Sequence, residues 1–203
     1  MRKFAWLVLP FLLLGCAPSS PFVGVKNLYD AKGTTIVCFG NSITAGNGAV
    51  TGEDYPARLG QMVKLPVINL GRSGDTTESA LLRIDEIFKH DPRLVIVELG
   101  GNDYIRRFPS SKTFDNLMLI IEKIQARKIV VVLISMPLGP GYESGYKDLA
   151  KKHGAVLIEG VMGKIFDDKS LMADELHPNS KGYEKLAEEV AKVIGPLLEE
   201  MGP

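Results

Sequence analysis

Cysteine is scarce in this 203-residue chain: Cys16 and Cys38 are the only two, too few for a disulfide scaffold. One follows an apolar leader and the other sits inside a β-branched run, so their neighbourhoods also argue against pairing them. Histidine is nearly as rare, and the three residues at positions 90, 153 and 177 lack the spacing of a metal site. An excess of charge is missing too. The 24 basic residues balance 24 acidic ones, which leaves no basic patch for nucleic acid and no acidic tail. The N-terminal apolar run from Phe4 to Leu14 is short for the ~30 Å core of a bilayer and is interrupted by Pro10. What the chain does have is 45% hydrophobic and 24% charged residues, enough to bury the core of one domain and too apolar for disorder.

The first residues read as a targeting segment. Arg2 and Lys3 precede the apolar run, which ends in Leu13-Leu14-Gly15-Cys16. That ending resembles a bacterial lipobox; the competing reading is an ordinary secretory signal with an incidental cysteine. The resemblance implies cleavage before Cys16 and a diacylglycerol on its thiol. Residues 1–15 are then a signal peptide, residues 16–33 a lipidated tether and lead-in, and residues 34–203 the folded domain. Ala17-Pro18-Ser19-Ser20-Pro21 supplies a proline-stiffened tether. Losing Arg2 and Lys3 lowers the basic count from 24 to 22 against 24 acidic residues. The implied location is the cell envelope, with Ala17 after the cysteine leaning towards the outer membrane.

From residue 34 onward, β-branched runs alternate with amphipathic stretches. Strands are expected over 34–39, 66–70, 93–99, 129–135 and 155–158. Their nearly continuous hydrophobic character marks strands buried on both faces of a parallel sheet. Helices are expected over 77–90, 114–127, 143–153 and 180–200, the last capped by Asn179 or Ser180. This alternation predicts a three-layer α/β/α sandwich on a five-stranded parallel sheet. In such sheets, functional loops gather at the carboxyl ends of the strands.

Four segments fall at those ends. Gly40-Asn41-Ser42-Ile43-Thr44 follows the first strand, where a glycine permits a tight turn and a serine stands near a helix start. Gly71-Arg72-Ser73-Gly74-Asp75-Thr76 follows the second; its glycines free backbone N–H groups, and Thr76 can cap the next helix. Gly100-Gly101-Asn102-Asp103 follows the third and offers a neutral amide donor. Asp174-Glu175-Leu176-His177-Pro178 spaces a carboxylate and an imidazole so that both can meet within one turn. Each segment alone is equally a turn or helix cap. His90 and His153 sit late in amphipathic helices beside lysine, where a cation suits the dipole. Cys38 is a small buried hydrophobe.

Taken together and in this order, the four segments resemble the blocks of the SGNH (GDSL-type) hydrolases over about residues 34–200. The run Val97-Glu98-Leu99-Gly100-Gly101-Asn102-Asp103, with Arg106 after it, is most similar to the thioesterase I / lysophospholipase / arylesterase branch. The resemblance implies a flavodoxin-like SGNH fold and a serine esterase working through an acyl-enzyme, with no metal and no cofactor. It implies Ser42 as nucleophile, His177 as base and Asp174 as its orienting carboxylate. The oxyanion hole would comprise the N–H groups of Ser42 and Gly74 with the Asn102 amide. The family usually carries aspartate before the serine. Here Asn41 stands in that position, as a support of the nucleophile turn. Tyr104, Ile105, Phe108 and the segment 137–141 are candidates for the cleft walls.

The implied partners are a small-molecule or lipid-like acyl ester and a membrane reached through Cys16, with no nucleic acid. Two alternatives stand beside this reading. One is a carbohydrate or peptidoglycan O-acetylesterase; the other is a non-catalytic envelope lipoprotein that keeps the fold, against which the intact Ser42, Asp174 and His177 argue.

Overall fold

The computed structural model describes residues 20–202; the leader 1–15 and Cys16 lie outside the described residues. Five strands, β1 (Thr35–Gly40), β2 (Val67–Gly71), β3 (Pro92–Glu98), β4 (Val130–Ile134) and β5 (Val156–Ile158), form one sheet in the order β2-β1-β3-β4-β5. Every neighbouring pair is parallel. The three central strands are almost wholly buried, as continuous apolar runs require. β2 is the exception, half-exposed because it lies at an edge. The strand order reverses between β1 and β3, and at such a switch point a crevice opens beyond the carboxyl ends.

Helices cover both faces. On one side lie α2 (Tyr55–Met62), α7 (Val161–Phe166) and α8 (Ser180–Met201); on the other lie α3 (Thr77–Leu82), α5 (Ser110–Gln125) and α6 (Pro140–His153). Two short helices, α1 (Ser42–Ala45) and α4 (Gly101–Ile105), start immediately beyond β1 and β3. The sandwich is therefore the α/β/α architecture that the sequence predicts. Asn179 caps α8 by accepting from the Lys181 and Gly182 N–H groups.

Two expectations need correction. The helix expected over 77–90 is broken: α3 stops at Leu82 and a 3₁₀ turn runs from Ile84 to His90. Arg83 causes the break. Its guanidinium is pulled inward to Asp75, at 2.6 Å, and to the Gly40 carbonyl, at 3.1 Å, and its backbone leaves the helical region.

The folded unit also begins near Phe22 rather than at Thr34. Phe22, Leu28 and Ala31 are buried in the core. The Asn27 side-chain amide donates to the Gln125 and Ile129 carbonyls, and the Lys26 N–H donates to Gly154. These apolar residues follow neither a helical nor a strand period, so pattern alone gives no sign of them.

Candidate active site

The crevice is a cleft of about 450 Å³ lined by residues of all four motif segments, among them Ser42, Gly74, Asn102 and His177. Its first wall is built by β1 and α1. A Cβ at Gly40 would overlap the Thr44 hydroxyl and the Glu98 carbonyl, so glycine alone lets α1 fold back over the strand tip. Asn41 caps α1, its Oδ1 accepting from the Ile43 N–H at 2.9 Å. That leaves Ser42 as the first residue of the helix, with its Oγ directed at the imidazole.

His177 Nε2 lies 2.9 Å from Ser42 Oγ, across 135 residues of sequence. Its Nδ1 lies 2.9 Å from Asp174 Oδ2 and 3.0 Å from Oδ1. Asp174 Oδ1 also accepts from the backbone N–H groups of Leu176 and His177, both at 2.8 Å. The His177 ring, followed by those two N–H groups, holds the Asp174 carboxyl down to about pKa 2. An ionised carboxylate can only accept, so Nδ1 carries the proton. In the neutral ring Nε2 is then the acceptor for the Ser42 hydroxyl.

The loop that carries this pair is tied down on both flanks. The Ala173 N–H donates to the His177 carbonyl, and Asn179 Nδ2 donates to Ser170 and Met172. Beneath it runs the stretch 46–50, where Gly48 has φ +90° and a Cβ would strike Ala173 and the Pro178 carbonyl. Tyr183 Oη donates to the Asn47 carbonyl at 2.8 Å, and Ser73 Oγ to the Asn47 side chain at 2.9 Å. Asn47, whose N–H donates to the Ser42 carbonyl, thus links the serine and glycine segments to α8.

The glycine and asparagine segments face this pair. Gly74 has φ +82°, a left-handed turn that suits glycine. Asn102 Nδ2 donates one hydrogen to the Asp75 carbonyl at 2.9 Å, fixing the amide with its second hydrogen unspent by that bond. Arg106 Nη2 donates to the Gly74 carbonyl. Below, buried Asp103 accepts from the Thr77 N–H and hydroxyl, joining α4 to α3.

Three supporting groups escape a reading by motif. Glu98 is fully buried at the tip of β3, accepting from Asn41 Nδ2 at 2.9 Å and Thr44 Oγ1 at 3.1 Å. Burial pushes its carboxyl up to about 8, against the pull of those donors. Asp75 and Arg83 form a buried ion pair that anchors the glycine segment under β1. Only Glu98 carried a signal, a charged residue at the end of the apolar run of β3.

Of the expected cleft residues, Tyr104, Ile105, Pro137 and Leu138 line it, with Met136, Phe166 and Leu176. Phe108 does not; it turns away beneath Lys112, 5.1 Å from the ammonium. His90 closes the 3₁₀ turn, and His153 stands 3.7 Å from Glu122, neither of them in the cleft. Among the described residues no cluster suited to a metal occurs.

A sequence profile of the GDSL-like Lipase/Acylhydrolase family matches residues 38–185. Thioesterase 1/protease 1/lysophospholipase L1 of Escherichia coli (strain K12) is 30% identical over 207 aligned residues, covering 96% of this chain and 95% of that protein. Esterase TesA of Pseudomonas aeruginosa is 30% identical, covering 83% of this chain and 91% of its own length. Among solved structures, the psychrotrophic esterase EstA from Pseudoalteromonas sp., inhibited by monoethylphosphonate, superposes with a TM-score of 0.74 at 28% identity. That match covers 82% of this chain and 99% of that one. AlinE4, an SGNH-hydrolase family esterase, gives 0.63 at 34% identity over 82% and 97%. With the profile spanning every segment that lines the cleft, and esterases on the same fold at these identities, the chain belongs to the GDSL-like lipase/acylhydrolase family and is a carboxylic ester hydrolase of the SGNH type.

Proposed function

We propose that this esterase works through an acyl-enzyme on Ser42, with His177 as general base and Asp174 as its orienting carboxylate. The observation that carries the proposal is the unbroken chain from Ser42 Oγ through the His177 ring to Asp174, each link 2.9 Å long. Ser42 Oγ attacks the acyl carbonyl carbon as its proton passes to Nε2. The imidazolium is stabilised by Asp174, which remains ionised. The growing oxyanion is met by the N–H groups of Ser42 and Gly74 and by the Asn102 amide, donors typically worth ~2.7–4 kcal/mol each. His177 returns the proton to the departing alcohol or thiol, and water, activated by the same base, releases the acid.

Aromatic and aliphatic side chains on the cleft walls fit an apolar acyl group. Small or lipid-like acyl esters, thioesters included, are the substrate class. The protein is held in the cell envelope by a lipid on Cys16 after removal of residues 1–15; support for this comes from Leu13-Leu14-Gly15-Cys16.

A phosphonate ester tests the nucleophile: mass spectrometry should place its adduct on Ser42, and an adduct on another serine overturns the assignment. Single alanine variants at Ser42, His177 and Asp174 should each lose most turnover without the losses adding, because the three act as a unit. For the anchor, the full chain should partition with membranes and carry diacylglycerol, and Cys16→Ser should abolish both. A soluble, unmodified mature protein would exclude the anchor.

A further inference from the structure

The lead-in and the cleft lie at opposite ends of the sheet. Residues 24–34 run along the amino ends of the strands: Lys26 bonds to Gly154 just before β5, Asn27 to Ile129 just before β4, and Thr34 to Asp91 just before β3. Tyr29 Oη donates to Glu200 at the last turn of α8. The first turn of that helix is at the other end, where Ser180 Oγ accepts from Val50 in the loop that supports His177. The 22 residues of α8, rising 1.5 Å each, separate these two ends by ~33 Å.

The chain enters the fold at once. Phe22 is buried, and the Phe22 and Val23 N–H groups turn back on Ser20. Four peptide units join Cys16 to Ser20, with a reach of ~14 Å even when fully extended. A link of that length starting at the lead-in end spans less than half the distance to the cleft end.

From this we infer that the site acts on esters offered from the aqueous side, and not on lipids of the bilayer that holds Cys16. The inference rests on the proposed anchor. With the amino ends of the strands held against the membrane, the cleft opens away from it or along it, and the domain cannot turn over to bring Ser42 to the lipid surface. The substrate class is therefore a water-soluble acyl ester, or an acyl group displayed on a facing surface.

One reactive ester, a butyryl umbelliferone, tests this in three presentations to the full-length lipidated protein in phosphatidylcholine vesicles. It is supplied free in solution, or joined by a short linker to phosphatidylethanolamine headgroups in the enzyme's own vesicles, or in separate vesicles. The free ester should be cleaved, and the ester in separate vesicles should be cleaved at least as fast as that in the enzyme's own. Inserting 30 Gly/Ser residues after Ala17, with an r.m.s. span of ~30 Å, should raise cleavage within the same vesicle at least about tenfold and leave the free-ester rate unchanged. Wild-type cleavage in its own vesicles equal to that of the lengthened chain overturns the inference while leaving the anchor standing. Failure to float with vesicles removes the anchor and the inference together. No cleavage of the free ester, in protein that floats, instead counts against the Ser42 reading and overturns the inferred substrate class with it.

Discussion

Asn41 holds two partners that a carboxylate could serve only by taking up a proton. Its oxygen caps α1 through Ile43, and its amide donates to Glu98. In Asn41→Asp two carboxyls would face each other in a buried site, where one stays protonated and the pair titrates as a unit. Near neutral pH an O–H donor then replaces the N–H donor, and activity should stay within about tenfold of wild type, ~1.4 kcal/mol of barrier. Asn41→Ala strands both partners and should lose more kcat and stability than Asn41→Asp; parity with wild type in both would make Asn41 a passive turn residue. Glu98 gives a separate pH signature. Its folded pKa, about 8, lies above the ordinary 4.5, so the folded state binds the proton more tightly. The stability this contributes is full below pH 4.5 and drains as pH rises through about 8. Urea melts of Glu98→Gln across pH 5–8 should slope less than wild type, and an equal slope would show that the folded Glu98 carboxyl is already ionised at pH 5, with no raised pKa. Asn102→Ala should lower kcat by ~10²–10³ with a smaller change in KM, as for a donor used mainly in the transition state.

The break between α3 and the 3₁₀ turn shows how an element is shaped by the site beneath it. An uninterrupted amphipathic pattern over 77–90 favours one helix, and no local residue opposes it. Arg83 ends it because its guanidinium satisfies Asp75 and the Gly40 carbonyl while lying 4.2 Å over the Phe39 ring. Arg83→Met should cost ~3–5 kcal/mol in urea unfolding, since it leaves the Asp75 charge buried without its partner. Arg83→Met with Asp75→Asn should recover part of that loss. The lead-in is the second such element. A chain starting at Ser20 should match the longer mature chain in stability, whereas one starting at Thr34 gives up the burial of Phe22 and Leu28. At ~1.5–3 kcal/mol per side chain, the Thr34 start should be destabilised by ~3 kcal/mol or more. Equal melting midpoints for the two starts would mean that these contacts contribute nothing.

The whole molecule has one thiol among its described residues, Cys38, which lies in the centre of β1. Burial pushes it up to about 12, and its face of the sheet is covered. Neither protonation state nor access favours reaction. A chain starting at Ser20 should therefore give almost no colour with a thiol reagent when folded and one equivalent in guanidinium. The labelling rate should report opening of the entire sheet. Fast labelling of the native protein, with activity intact, would mean that β1 opens locally.

Parallel strands and covering helices are legible in the chain because burial on both faces demands continuous apolar runs, and burial on one face demands a 3.6-residue period. The same chemistry makes the motif residues legible: glycine where a turn leaves no room for Cβ, and a carboxylate three residues before an imidazole. The short helices α1, α2, α4 and α7 were not legible, because four to eight residues set no clear period and their ends are fixed by what they abut. Nor was the lead-in, whose hydrogen-bond partners Gln125, Ile129, Gly154 and Glu200 all lie about a hundred or more residues away in sequence. Which groups stand at the strand tips was thus determined by the sequence. That Glu98 lies under Asn41, that Arg83 reaches under β1, and that His177 meets Ser42 across 135 residues were decided only when the sheet closed. Buried polar groups must find partners wherever the fold brings them, and sequence spacing carries no record of those distances.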